Sequence, residues 1–328
     1  MRMIDRQIEQ FLTNCQIKQL SKKTMKAYSQ ALLLMADYLQ SQYKITDAEQ
    51  VRAIHVSDYI GYLQERGKYT VTTESKSVQP NYPDRRSDYR RALSKTTINN
   101  YIRDMRVFFN FLVDFDYIDR NPMRKIKQLR NDRRTIDFIT DSQFESLMRN
   151  MDISKYHEYR DKVIMELLLD SGMRVGECLA IQMQDIDLLK NSITLPWENT
   201  KGKKTRVVFF SDEMRKSLKL WIRHKDIFME SEYLFPSTHK RKLSIGCLET
   251  NIKRYGERAG VPDVTPKVFR NNFAKRFLMN GGDIFTLSKL LGHSSVEVTQ
   301  AAYLDLTDDD LRQQYQRFSP IANMRAGM

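Results

Sequence analysis

Through most of the first 120 residues, apolar side chains recur every three to four positions, the period of helices that bury one face. In MIDRQIEQFLTNC, Ile4, Ile8, Phe11, Leu12 and Cys15 fall on one side. Ser21 is placed to cap a second helix, whose stripe is Tyr28, Leu32, Met35, Leu39 and Tyr43. Ser57 opens a shorter third helix through DYIGYLQERG, which Gly67 ends. Ser94 starts the fourth, with Ile98, Tyr101, Ile102, Met105, Phe109 and Leu112 on its apolar side. Four amphipathic helices in a row predict a small bundle over residues 1–120.

The pattern lapses twice. Residues 67–93, between the third and fourth helices, hold two prolines, many Ser and Thr residues and no apolar period. They predict a long, mobile, basic insertion. Its Arg85, Arg86, Arg90 and Arg91 are candidates to reach a phosphate backbone, or simply a solvated face. Pro122 stops the fourth helix and opens a basic stretch, 121–134, the best domain boundary. Arg124, Lys125, Lys127, Arg130, Arg133 and Arg134 make it either a solvated linker or a strap along a polyanion.

The second domain, 135–328, opens with a helix capped by Thr140 and a strongly apolar one, YRDKVIMELLLDSG. The stretch DIDLLKNSITLPWENTKGKKTRVVFFS reads as strand, turn, strand. Residues 211–225 and 247–259 read as helices, and helices return in the last third. Thr307, followed by three aspartates, starts a final helix with Leu311, Tyr315 and Phe318 as its stripe. The fold class is mainly α with a small β-sheet in the second domain.

Composition narrows the partners. A formal charge of +13 over 328 residues favours a polyanion, nucleic acid ahead of anionic membrane. The three cysteines, Cys15, Cys178 and Cys247, are far apart and form no zinc or disulfide pattern. The N-terminus lacks the apolar core of a signal peptide, and no apolar run has the ~20 residues of a membrane span. A soluble, cytoplasmic protein that needs no metal or cofactor is the expectation.

Four residues narrow the chemistry. Arg174 lies in SGMRVGE, Arg270 in KVFR, His293 in LLGH, and Tyr303 follows that histidine by ten residues. Taken singly, the histidine would read as a helix cap and the tyrosine as a core residue. Tyrosine is a poor nucleophile unless cations surround its target. Two arginines, a histidine and a tyrosine on separate segments point to attack on a phosphodiester, with the guanidinium forks holding the charge that develops on oxygen.

The motifs SGMRVGE, TKGKKTRVV, KVFR, LLGH and the late tyrosine, in this order, resemble the tyrosine recombinases, also called the phage integrase family. The upstream bundle is similar to that family's core-binding domain, so the resemblance covers nearly the whole chain. It implies a C-shaped clamp on duplex DNA. It also implies catalytic roles for Arg174, Lys201, Lys267, Arg270 and His293, with Tyr303 as the nucleophile and Glu177 as an acidic support for Arg174. Lys203 and Lys204 are rivals to Lys201, and Tyr255 and Tyr315 to Tyr303. Lys267 departs from the family's commoner histidine, which leaves open what takes the proton from the tyrosine. In relatives a C-terminal segment docks into the neighbouring protomer, a role that 307–328 would fill in a tetramer on an inverted-repeat core site, with an accessory directionality factor. The long insertion and Lys267 favour integration or excision of a mobile element. The alternatives are Xer-type dimer resolution, a type IB topoisomerase, and a catalytically silent DNA-binding protein on the same fold.

Overall fold

The computed structural model describes residues 1–71, 82–130, 138–200, 202, 204–293, 295–303, 312 and 315–316. The chain divides into two compact units, Met1–Arg133 and Arg134–Met328.

In the first unit, helices α1 (Met3–Ile17), α2 (Lys22–Tyr43), α3 (Ala53–Glu65) and α4 (Lys95–Asp114) bury their apolar stripes against one another. Ser21 and Ser94 cap α2 and α4 by accepting from the amides of Thr24 and Thr97. Two stripes differ from their expected membership. Phe108, outside the expected stripe, is fully buried between Phe11 and Phe109. Tyr43 stays exposed because its hydroxyl donates to Asp58 at 2.5 Å.

The third helix begins at Ala53 rather than Ser57. Val56 and Tyr59 must both be helical to enter the core, and the Arg52 amide donates to His55 Nδ1 at 3.2 Å, so the first turn closes without a Ser cap. The insertion that follows is anchored at its base. Gly67 bridges Ala92, and Lys68 pairs with Asp88 at 3.2 Å. A Cβ on Gly67 would lie 2.6 Å from Arg90 Cα, so only glycine permits this approach. Arg85, Arg86, Arg90 and Arg91 are all exposed, and the first three lie over the rings of Tyr82, Tyr69 and Tyr89. Residues 72–81 lie outside the described residues.

After α4 the basic stretch turns back along that helix. Asn99 donates to the Leu129 carbonyl at 2.9 Å and accepts from its amide at 2.8 Å, and Arg106 donates to the Ile126 carbonyl at 2.6 Å. Met123, Ile126 and Leu129 pack on the bundle while Arg124, Lys125, Lys127 and Arg130 face solvent. As far as residue 130, then, this segment is part of the bundle; Arg133 and Arg134 lie outside the described residues.

The second unit is arranged around α6 (Tyr156–Ser171), which buries residues on every side. On it pack α7 (Val175–Cys178), α8 (Asp212–Phe228), α9 (Ile245–Arg258) and α10 (Pro266–Met279). α5 (Asp141–Arg149) lies ahead of α6, with Thr140 as its cap. Three antiparallel strands rather than two form the sheet, β1 (Ile186–Asp187), β2 (Ser192–Leu195) and β3 (Arg206–Phe209). Ile193 faces Val208 in register, and both are buried. Two helices outrun their expected bounds: α8 continues to Phe228 because Lys225 is buried against Asp226, and α9 starts at Ile245 because Ser244 caps it. The unit ends in α11 (Ile284–Leu291) and α12 (Val296–Tyr303).

Inside this unit the buried carboxylate of Asp161 is satisfied. Asp161 accepts from Arg160, from Asn251 at 2.8 Å and from the Tyr255 hydroxyl at 3.0 Å. Burial, and then the charge of Asp161, push the Tyr255 hydroxyl pKa up, so this rival nucleophile is a core residue. No helix among the described residues is long and apolar enough to cross a membrane.

Truncation of a fully enclosed ring should be costly. Phe108→Ala is expected to destabilise the first unit by about 3–5 kcal/mol, read as a lower urea midpoint by circular dichroism, whereas exposed Ile17→Ala should change it by under about 0.5 kcal/mol.

Candidate active site

The site is built where three chain turns converge in the second unit. α6 ends at Gly172, in the left-handed region with φ of 65°. The next residues form the single-turn helix α7, with Arg174 at its start and Glu177 three residues in. α11 ends at Gly292, again left-handed with φ of 63°, and His293 follows directly. Both glycines are required twice over. A Cβ at 172 would come within 2.2 Å of the Phe273 ring, and one at 292 within 2.8 Å of the Arg206 side chain.

Glu177 is the centre of the arrangement. It is 2% exposed, and its carboxylate accepts four hydrogen bonds. The Arg174 amide donates at 2.8 Å and the Arg174 Nη1 at 3.1 Å. Arg206, from β3, donates through both Nη atoms at 2.8 and 2.7 Å. Burial alone would raise the pKa of this carboxyl. The hydrogen bonds from Arg206 and from the Arg174 amide, with the charges of both side chains, bring it below the ordinary glutamate value.

Arg270, on the second turn of α10, is also nearly buried. Its Nη1 donates to the Gly172 carbonyl at 2.7 Å and its Nη2 to the Leu291 carbonyl at 2.9 Å. The same Nη2 lies 3.0 Å from His293 Nε2. Arg174 reaches the same corner from the other side, with Nη2 3.4 Å from the Gly292 carbonyl. Arg174, Glu177, Arg270 and His293 are therefore brought together from three segments, and Arg206 joins them.

This makes a pocket of three guanidiniums against one carboxylate. His293 records the imbalance. Desolvation first, and then the charges of Arg270, Arg174 and Arg206, lower its pKa to about 4. Its imidazole is neutral at physiological pH. The surplus of fixed donors suits an anion with several oxygens, such as a phosphodiester.

Other candidates stand differently. Lys267 is exposed on the first turn of α10, three residues before Arg270 and so on the same side of that helix. Lys201 and Lys203 lie outside the described residues. Lys204 is exposed, and Thr200 accepts from its amide at 3.1 Å and donates to its carbonyl at 2.9 Å, which closes the turn between β2 and β3. Tyr303 is the last residue of α12, but its side chain lies outside the described residues, as does the exchange segment apart from exposed Arg312, Tyr315 and Gln316.

Sequence reasoning missed Arg206 and Thr299. The first sits in TRVVFF, where it reads as a strand residue. Its signal was there in principle, since a buried Glu177 needs more positive charge than Arg174 alone provides. Thr299, whose hydroxyl lies 2.7 Å from His293 Nδ1, carries no signal in a sequence met alone.

Residues 137–310 match the model described as Phage integrase family, and residues 8–77 match its N-terminal SAM-like domain. The chain is 27% identical over 321 residues to the tyrosine recombinase XerD of Staphylococcus haemolyticus, covering 96% of this chain and 99% of that one. Among solved structures, the Tn1549 transposon integrase in complex with a circular intermediate DNA aligns with a TM-score of 0.71 at 16% identity, over 97% of this chain and 100% of that one. The XerH recombinase bound to its difH substrate aligns with a TM-score of 0.67 at 15% identity, over 94% and 83%. These two likenesses are of fold.

The histidine gives a stability test with a definite sign. Folded His293 binds its proton near pH 4, while an unfolded histidine binds it near 6.5. Between these values the unfolded chain holds more protons. The stability contributed is whole above about pH 6.5 and is lost as pH falls toward about 4. His293→Gln should remove this slope, so its urea midpoint should fall less than that of wild type over the same interval; parallel falls would refute the assignment.

Proposed function

The chain belongs to the phage integrase family, the tyrosine recombinases, enzymes that cleave and exchange DNA strands, and on that basis we propose that it carries out site-specific recombination for the integration or excision of a mobile element. The observation that carries the catalytic part is the junction of Arg270 with His293 at 3.0 Å, faced by Arg174 on its Glu177 support. A DNA-binding protein with no chemistry would not need three guanidiniums oriented by buried acceptors.

In the proposed reaction the Tyr303 oxygen attacks the scissile phosphorus. The bond to the 5′-oxygen breaks and a 3′-phosphotyrosyl link forms. The 5′-hydroxyl of another strand then attacks that link, releases the tyrosine and passes through a Holliday junction. One phosphodiester-like bond replaces another at each step, so neither ATP nor a metal is required. Arg174 and Arg270 hold the non-bridging oxygens. The Arg270 Nη2–H now shared with His293 is the donor a phosphate oxygen would take over. Lys201 would protonate the leaving 5′-oxygen. Exposed Lys267 acts chiefly as a cation toward the same phosphate.

The assembly proposed is a homotetramer on an inverted-repeat core site. Each chain grips the duplex with both of its units, and 307–328 passes to a neighbour. An accessory directionality factor would set the sense of the reaction. The exposed Arg85, Arg86, Arg90, Arg91, Arg124, Lys125, Lys127 and Arg130, with Arg133 and Arg134, would supply phosphate contacts. The insertion and Lys267 support the mobile-element reading. The likeness to XerD along nearly the whole chain supports a second reading, dimer resolution. The DNA flanking the gene separates them, by carrying element ends or a chromosome-dimer site.

A nicked suicide substrate tests the chemistry. Wild type should leave an SDS-stable protein–DNA adduct that Tyr303→Phe abolishes. Arg270→Ala should slow adduct formation by about a hundred- to a thousandfold. Relaxation of a plasmid without a recombination site would instead favour a topoisomerase. Binding to core-site DNA should weaken by about 10³- to 10⁵-fold between roughly 50 and 200 mM salt if about 6–10 phosphates are contacted; a shallow slope argues against the clamp.

A further inference from the structure

Thr299 lies in α12 with no exposed surface, and its Oγ1 is 2.7 Å from His293 Nδ1. The other edge of the same ring places Nε2 3.0 Å from Arg270 Nη2. A guanidinium has donors and no acceptor, so Nε2 must offer its lone pair to Arg270. A neutral imidazole carries one ring proton, and here that proton is on Nδ1. Nδ1–H then donates to the Thr299 oxygen. The direction of both hydrogen bonds follows from the chemistry of the two partners.

We propose that Thr299 is a positioning residue that, together with Arg270, fixes the tautomer and the ring orientation of His293. The proposal rests on the reading of this site as the recombinase phosphate clamp. Without the hydroxyl, the Nδ1–H that the Arg270 contact requires loses its acceptor on Thr299. The alternative tautomer would turn an Nε2–H toward the Arg270 N–H, donor against donor, and either the ring or the guanidinium would have to shift. Arg270 is held by the carbonyls of Gly172 and Leu291, so the ring is the part that moves. Its Nε2 edge would then no longer meet Arg270 where the scissile phosphate is to bind.

The same bond has a second effect. Thr299 sits one turn before Tyr303 in α12, while His293 follows the end of α11. The Thr299–His293 contact therefore ties the helix that carries the nucleophile to the group beside the phosphate. Ser288 adds a second tie across the same corner, since it accepts the His293 amide at 3.1 Å through its carbonyl and donates from its hydroxyl to the Ser295 carbonyl at 3.3 Å. Thr299 is the member of this corner that acts on the imidazole itself.

The test uses the full chain and two substitutions, Thr299→Val, which keeps the shape and removes the hydroxyl, and Thr299→Ser, which keeps the hydroxyl. Nitrogen-15 spectra of the imidazoles, with the His293 signals assigned by their loss in His293→Gln, read the tautomer in DNA-free protein. Wild type and Thr299→Ser should show the Nδ1-protonated form at neutral pH, and Thr299→Val should lose it. On the suicide substrate, Thr299→Val should form adduct roughly ten- to a hundredfold more slowly, while Thr299→Ser stays close to wild type. An Nε2-protonated His293 in wild type overturns the proposal. So does a Thr299→Val chain that keeps the Nδ1-protonated form, whatever its cleavage rate, or a Thr299→Ser chain that keeps that form and is as slow as Thr299→Val. If wild type forms no adduct, the recombinase reading fails, and the spectra still decide the tautomer.

Discussion

The carboxylate of Glu177 is the constraint on which the site depends. A buried anion among cations is stable only when its oxygens are saturated, and here four N–H groups saturate it. Those bonds orient Arg174, at the start of the same helical turn, and Arg206, from β3. Arg206 in turn fills the space above Gly292, which sets where His293 begins. Removing this one charge would leave two guanidiniums facing each other in a partly dry pocket. The acid thus organises cations whose own target is another anion.

A second economy lies in the use of helix ends. The terminal carbonyls of α6 and α11 have no partner within their helices, as at any helix C-terminus. Arg270 takes up both corners at once, through Gly172 and Leu291. Capping and electrostatics are served by the same guanidinium. The left-handed glycines are what allow two helix ends and two arginines to approach this closely.

Much of this was legible in the residues. The bundle was readable because Ile4, Ile8, Leu32, Met35, Ile102 and Met105 repeat at helical spacing and a helix can bury only what it repeats. The third helix start was misread because a serine is a good cap in general, whereas burial of Val56 and Tyr59 decided it here. Arg174, Glu177, Arg270 and His293 could be singled out because motif order carries them. Their supports could not. Arg206 is one of many basic residues, Thr299 is an ordinary helix threonine, and their meaning comes from separations of 29 and 6 residues closed only by folding. The basic stretch after α4 also read as a linker, because its inward residues Met123, Ile126 and Leu129 are outnumbered by the charges between them.

The pinch at Gly67 and Ala92 has a bearing on how such a chain can vary. Because the two ends of the insertion meet in a backbone bridge, with Lys68 and Asp88 paired just inside it, the bundle is closed off from whatever lies beyond. Loop entropy grows only slowly with length, so residues can be added or removed there at small cost to the helices. That junction is a natural graft point, where a reporter or a foreign binding module could be carried without entering the bundle core.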